Sequence, residues 1–403
     1  MAFLLSCMFT MHSWAQSNPQ QEFRGVWITT AFNKDWPTLG VTNSDSQKVA
    51  FIRQLDFHKK NGINAVIVQV RVAADAFYPS PYEPWSQWLI GIQGKAPEPY
   101  YDPLQFMITE AHKRGFEFHA WCNPYRAVSS IQFSSVDSNH ITYKHPEWFV
   151  DYGKSRYFNP AKKECRDFIT TVITDIVQRY EVDAIHLDDY FYPSKIDSIP
   201  YPDSALFVSA ASTLSKDDWR RENVNKLIEQ LHTAIKKIKP WVKFGVAPFS
   251  VWRNKSKDPL GSESDAWQTN YDDLYADVIL WLKRGWVDYV APQLFLDIGH
   301  TKIPFEKMIA WWSKNSYGKH VYIGHGVYRH IPKENTMVKR VKPNELPNQI
   351  KLTRKYPTIK GSIFYSSTSF DANPNGWNDS LQNNYYKTSA TIPIMNWLPV
   401  KHN

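Results

Sequence analysis

"VDAIHLDDYFYP", Val182 to Pro193, is the stretch on which the reading of the whole chain turns. Side chains of a strand point alternately to its two faces. Ile185 and Leu187 therefore mark a packed outer face, and Ala184, His186, Asp188 and Tyr190 an inner one. Asp188 falls at the carboxyl end of a buried strand, pointing inward. Asp189 has the opposite parity and joins it only where the strand has already ended.

Seven further runs share this character: 23–30, 64–71, 117–124, 243–250, 288–295, 320–327 and 360–367. Between the eight lie helix-like segments, among them Asp102–Arg114, Cys165–Tyr180, Asp217–Lys239, Tyr271–Arg284 and Asn344–Tyr356, several with an acidic or proline-containing first turn and a basic last one. Strands that alternate with helices and read as buried on both faces imply a parallel sheet. Eight such units predict an α/β fold, a closed (β/α)8 TIM barrel. No GxGxxG follows the first strand, which argues against an open dinucleotide-binding sheet. The long inserts, 31–44, 72–101, 125–160 and 191–216, all follow strand ends, on the face where barrels build active sites. The residues past about 375 read as a tail packed over the barrel bottom or side.

The net charge of +8 comes from dispersed Lys and Arg, and no zinc-finger or RNA-recognition spacing is present, so nucleic acid is not expected as a partner. No run reaches the ~18 apolar residues of a membrane span. Aromatic residues make up 15% of the chain, with 17 Trp and 22 Tyr. Such rings suit stacking on sugars as well as core packing. Residues 1–21 read as a signal segment and short leader, with an apolar run from Ala2 to Phe9 and a small-residue cleavage site after Ala15, and 22–403 as one barrel with its tail. The expectation is an exported protein, periplasmic or outer-membrane associated. Cys7 sits in a weak lipoprotein-like "LLSC". Cys122 and Cys165 are expected to be inert buried thiols rather than a disulfide framework.

The same parity rule turns Val66, Val68, Val70, Phe118, Ala120, Cys122, Val290 and Leu294 outward. It gathers Arg71, Trp121, Asn123, His186, Asp188, Tyr190 and Gln293 in the upper barrel, with Asp75 just beyond strand two. Carboxylates beside aromatics and polar groups are what glycoside cleavage needs: one acid protonates the leaving oxygen, and a second group stabilises or attacks the cationic sugar. His119, His186, His300 and His325 offer no HxH or HExxH spacing, so neither a metal nor any other cofactor is expected. There is no GxSxG elbow for a serine nucleophile.

"EFRGVWITTAFNKDWPT", "VQVRVAADAFYPS", "AWCNPYRA", "IHLDDYFYP", "FGVAPFSVWRN", "VDYVAPQLF" and "GSIFYSSTSF" together resemble the bacterial glycosyl-hydrolase-like family ten, in order from about Glu22 to the C-terminus. The resemblance implies an exported (β/α)8 glycosidase and, through a division-associated relative, hydrolysis of peptidoglycan glycan strands stripped of their stem peptides. Division-site partners leave no trace in the sequence. The resemblance carries over Arg24, Trp27, Asp35, Arg71, Asp75, Trp121, Asn123, Tyr125, Arg126, His186, Asp188, Asp189, Tyr190, Trp252, Arg253, Asn254 and Gln293 as site positions, with Asp188, Asp189 and Asp75 as the catalytic candidates. The usual "PAGD" reads "VAAD" here, with Asp75 in place. Chitinase-like barrels carry D-x-x-D-x-D-x-E on strand four. Here Asp183 and Asp188 match the first and third positions, but Tyr190 stands where the acid Glu would be. The acid then comes from Asp189, Asp75 or Asp297. Neighbouring carboxylates raise each other's pKa, which leaves two readings of Asp189: the acid beside a charged Asp188, or a partner of Arg71 or Arg126 that holds the site together. A hydrolase of another polysaccharide and a silent glycan-binding barrel remain alternatives.

Overall fold

In a computed structural model that describes residues 19–331 and 342–401, eight parallel strands close into a barrel: β1 Phe23–Ile28, β2 Ala65–Arg71, β3 Glu117–Cys122, β4 Ala184–Leu187, β5 Lys243–Val246, β6 Tyr289–Val290, β7 His320–Gly326 and β8 Ile359–Tyr365. Each pairs with its neighbours in chain order, and β8 returns to β1, so no edge is left unpaired. The strands are shorter than the apolar runs at their carboxyl ends, most of all β6, because those last residues leave the ladder to form the rim of the site. The segment 1–21 lies almost wholly outside the described residues.

The helices form where local chemistry closes their ends. Asp102 caps Pro103–Lys113 by accepting from the Gln105 N–H, with proline at a position that needs no N–H. Ser215 caps Lys216–Ile238 in the same way. The helix read from Tyr271 begins only at Val278, where Asp277 caps it; Tyr275 before it has a positive φ of 53°, which no helix tolerates. Among the described residues no helix is long and apolar enough to cross a membrane.

Two apolar layers result. The larger joins the outer strand faces to the helices. The smaller fills the barrel axis with Phe23, Trp27, Ile67, Trp121, Tyr289, Tyr322 and Ile363. Phe23 and Tyr322 stack with centroids 4.0 Å apart. A side chain at Gly245 would start 2.0 Å from the Tyr289 ring, so only glycine admits that ring to the axis. The C-terminal tail closes the lower mouth: Thr391 pairs with Glu22, Met395 enters the axial layer, and the Trp397 indole donates to Asp288. The insert after β3 folds into a small antiparallel sheet, Arg126–Val128, Phe149–Tyr152 and Ser155–Phe158, which the sequence patterns do not announce.

Candidate active site

A cavity of about 270 Å³ opens at the carboxyl ends of the strands, lined by Trp27, Trp121, His186, Asp188, Asp189, Tyr190, Ala247, Gln293, Phe295, Tyr328 and Tyr365. β4 ends at Leu187, so Asp189 escapes strand parity and stands beside Asp188 in the lining. A larger hollow nearby, lined by Tyr152, Tyr192, Tyr201 and Tyr275 among others, contributes no carboxylate. Of the two, the smaller is the one lined by carboxylates.

Both carboxyls are buried, Asp188 at 4% and Asp189 at 7% exposure. Burial, then the neighbouring charge of Asp189, pushes Asp188 from 3.8 to about 7; Arg126 and a hydrogen bond from the Trp121 indole offset part of the rise. Burial alone lifts Asp189 to about 6, against the Gln293 amide and Arg126. Burial thus lifts both carboxyls toward neutrality, Asp188 with its neighbour's charge as a second cause, so that the pair holds a proton to higher pH than a free carboxyl does. The Trp121 N–H donates to Asp188 Oδ2 at 3.3 Å, while Oδ1 has no protein partner. The proton is best carried on Oδ1, since Oδ2 is already accepting.

The floor of the cavity is a chain of hydrogen bonds along the barrel axis. The Trp27 N–H donates to His186 Nε2 at 3.2 Å. The proton of His186 therefore sits on Nδ1, facing the Tyr289 hydroxyl at 2.9 Å. Tyr289 in turn donates to His119 Nδ1 at 2.9 Å, and His119 Nε2 meets Glu117, which is paired with Lys243. Burial holds His186 well below 6.5, so it is neutral. Gly324 leaves room for the Trp27 ring: a Cβ there would lie 3.0 Å from it.

Seven of the residues singled out from the sequence thus share one cavity: Trp27, Trp121, His186, Asp188, Asp189, Tyr190 and Gln293. Arg126 lies at its rim, its guanidinium 4.6 Å over the Tyr190 ring. The others lie elsewhere. A register shift between Gln69 and Arg71 breaks the alternation of β2. Arg71 consequently turns out of the barrel into a buried pair with Glu83. Asp75 spends its oxygens on the Val72 and Ala73 N–H groups and the Ser86 hydroxyl. It closes its own loop and does not line the cavity. Arg24 lies at the amino end of β1, paired with Glu22 under the Tyr386 ring. Asp35 ties the loop after β1 to Ser366 and Thr368 beyond β8. Asn123 receives the Gln69 amide, and Tyr125 is buried beneath the small sheet. Trp252 stacks on Trp311, Arg253 pairs with Asp258 and Asp272, and Asn254 braces the Ala266 loop. Asp183, at the lower end of β4, accepts from the Phe118 N–H, and Asp297 faces Lys342.

The histidines do not converge: His119 is low in the axis, and His325 is turned outward onto Gln349 and Ser362. Among the described residues no group of His, Cys, Asp or Glu has the geometry of a metal site. Cys122 and Cys165 are buried and unpaired, and burial raises both thiols to about 12. Phe295, Tyr328, Tyr365 and Ala247 were not singled out. Phe295 lies two residues beyond Gln293 and Ala247 two beyond Gly245, so parity was able to find them; Tyr328, in a turn after β7, carries no such signal.

The family model described as glycosyl hydrolase-like 10 matches residues 22–341. The chain belongs to the glycosyl hydrolase-like 10 family. Glycosyl hydrolase YngK of Bacillus subtilis is 43% identical over 95% of this chain and 76% of its own. Glycosyl hydrolase DigH of Escherichia coli is 35% identical over 86% of this chain and 83% of its own. The solved glycoside hydrolase domain of PgaB from Bordetella bronchiseptica shares the fold, with a TM-score of 0.57 at 12% identity over 90% of this chain and 98% of that domain. This member of the glycosyl hydrolase-like 10 family is accordingly a glycoside hydrolase, and its barrel carries a paired-carboxyl cavity where such enzymes work.

Proposed function

We propose that this enzyme hydrolyses the glycan strands of bacterial peptidoglycan after their stem peptides have been removed, with Asp188 and Asp189 as the reacting pair. The observation that carries this reading is a buried carboxyl pair, Asp188 and Asp189, at the base of an aromatic-walled cavity to which, among the described residues, no other carboxylate contributes; burial pushes the two up to about 7 and about 6. Near neutral pH such a pair holds about one proton. Asp188 Oδ1–H donates it to the glycosidic oxygen as the bond to the anomeric carbon breaks. Ionised Asp189 stabilises the positive charge that develops on the sugar, and a water then adds its oxygen to the anomeric carbon and gives up its proton to Asp188, which restores the starting pair. Tyr190, Phe295, Tyr328 and Tyr365 present the ring faces and hydroxyls that hold a pyranose. Trp27 and neutral His186 form a floor whose hydrogen-bond polarity is already set.

At about 270 Å³ the cavity is slightly smaller than the usual ligand site of about 300–1,000 Å³. It takes a single sugar ring, with the rest of a polymer lying across the open face. We place the enzyme outside the cytoplasm, periplasmic or outer-membrane associated, on the apolar run Ala2–Phe9 and the site after Ala15. The test is release of reducing ends from purified sacculi with and without amidase pretreatment, using wild type and Asp188→Asn. Release from pretreated sacculi alone, lost in the variant, is expected. Retention of glycan without release would reject hydrolysis of this substrate.

A further inference from the structure

Among the described residues, two cations at the cavity mouth pair with no carboxylate. The Arg126 guanidinium lies 4.6 Å over the ring of Tyr190, and Lys34 Nζ lies 5.4 Å over the ring of Tyr365. Both tyrosines line the cavity. They follow β4 and end β8, strands four places apart in the ring of eight, so the two cations sit over opposite walls. Among the described residues neither side chain forms an ion pair or a hydrogen bond. Arg71, Arg220 and Arg253, on the same face, are spent: Arg71 on Glu83, Arg220 on Asp203, Arg253 on Asp258 and Asp272.

Stacking uses the face of a guanidinium and leaves its N–H edges open, and those edges match a carboxylate two to two. Arg126 is held in place from its own side as well, because its backbone pairs with Tyr157 in the small sheet. It is felt by Asp188 and Asp189 without pairing to either. An anionic substituent arriving beside that carboxyl pair would be repelled unless a cation met it at the mouth.

We infer that Arg126, with Lys34 across the mouth, recognises free carboxylate substituents on the sugars flanking the bond to be cleaved. This rests on the substrate reading above and extends it. In a peptide-free strand the lactyl groups of alternate sugars end in carboxylates. In a peptide-bearing strand the same carbon is an amide, uncharged and unable to accept two N–H bonds as an anion. Preference for stripped strands then comes from the charge that peptide removal uncovers.

The experiment titrates the full chain with a peptide-free tetrasaccharide of alternating N-acetylglucosamine and N-acetylmuramic acid, and with its methylamide, by calorimetry. Wild type is expected to bind the acid about tenfold or more tightly than the amide, the worth of one charge-assisted pair. Arg126→Gln closes that gap, Arg126→Lys keeps part of it, and Lys34→Gln narrows it, with near-ultraviolet circular dichroism verifying the fold of each. Equal binding of acid and amide by wild type overturns the inference, and so does an Arg126→Gln variant that weakens both alike. Cleavage of stripped strands without any such preference leaves the substrate reading standing. A wild type that neither binds nor cleaves either oligosaccharide overturns both.

Discussion

Replacing Asp188 by asparagine is expected to make the protein more stable at alkaline pH while removing its activity. The pKa of this carboxyl rises from 3.8 to about 7 on folding. At about 1.4 kcal/mol per pKa unit, the rise amounts to roughly 4 kcal/mol. That is an upper bound, since Asp189 competes for the same proton. A carboxyl whose pKa is raised on folding stabilises the protein fully below its unfolded pKa, and that stability is lost as pH climbs through about 7. Asparagine keeps the shape and carries no charge, so the variant escapes this loss and also frees Asp189 from its neighbour's field. Urea unfolding followed by tryptophan fluorescence at about pH 5 and about pH 8.5 reads the effect. Wild type is expected to lose a few kcal/mol between the two, the variant clearly less, crossing above wild type at the higher pH. The kcat should fall by about 10²–10⁴ through loss of the proton donor. A variant no more stable than wild type at about pH 8.5 would refute burial as the cause of the raised pKa. A variant that keeps its activity would remove Asp188 from the reaction.

The rate against pH should form a narrow bell, with an acid limb near 6 as Asp189 gains a proton and an alkaline limb near 7 as Asp188 loses one. Because the charge of Arg126 lowers both, Arg126→Gln should move both limbs upward; limbs that stay put would detach Arg126 from the pair. Asp75→Asn should cost about 1–3 kcal/mol of stability through its loop hydrogen bonds and leave kcat of the folded enzyme within about twofold; a far larger fall in kcat at unchanged stability would return Asp75 to the reaction. Gly245→Ala drives a methyl into the Tyr289 ring and should destabilise by about 1–3 kcal/mol or more, measurable as a drop in thermal midpoint; an unchanged midpoint would mean that the axial ring has room to move.

Much of this architecture was legible in the chain because strand parity is a local rule. Ile185 and Leu187 outward, His186 and Asp188 inward, follow from a period of two that no neighbour alters. Gln293 was placed by the same rule, and Phe295 obeys it. The rule fails where the ladder itself is irregular. One extra residue in β2 turns Arg71 from the barrel interior to a buried partner, Glu83, and nothing in "VQVRVAAD" marks the bulge. Motif position misleads in a related way. Arg24, Asp35 and Asp75 stand in well-marked stretches, yet each is consumed by a structural contact: Glu22 under the lower mouth, the loop beyond β8, and the turn after β2.

The sequence by itself determined the alternation of strands and helices, the barrel that eight such units must close, and which carboxylate of "LDDY" ends a strand facing inward. Only tertiary structure decided that this pair keeps a proton toward neutral pH, because burial and the field of a neighbouring charge exist only once the walls have assembled. It also decided that Asp189 joins Asp188, through the early end of β4, and that Tyr328, from the turn after β7, and Tyr365, at the end of β8, come to face them. Parity is a property of a single strand. A raised pKa and an unspent guanidinium belong to the space that several strands enclose.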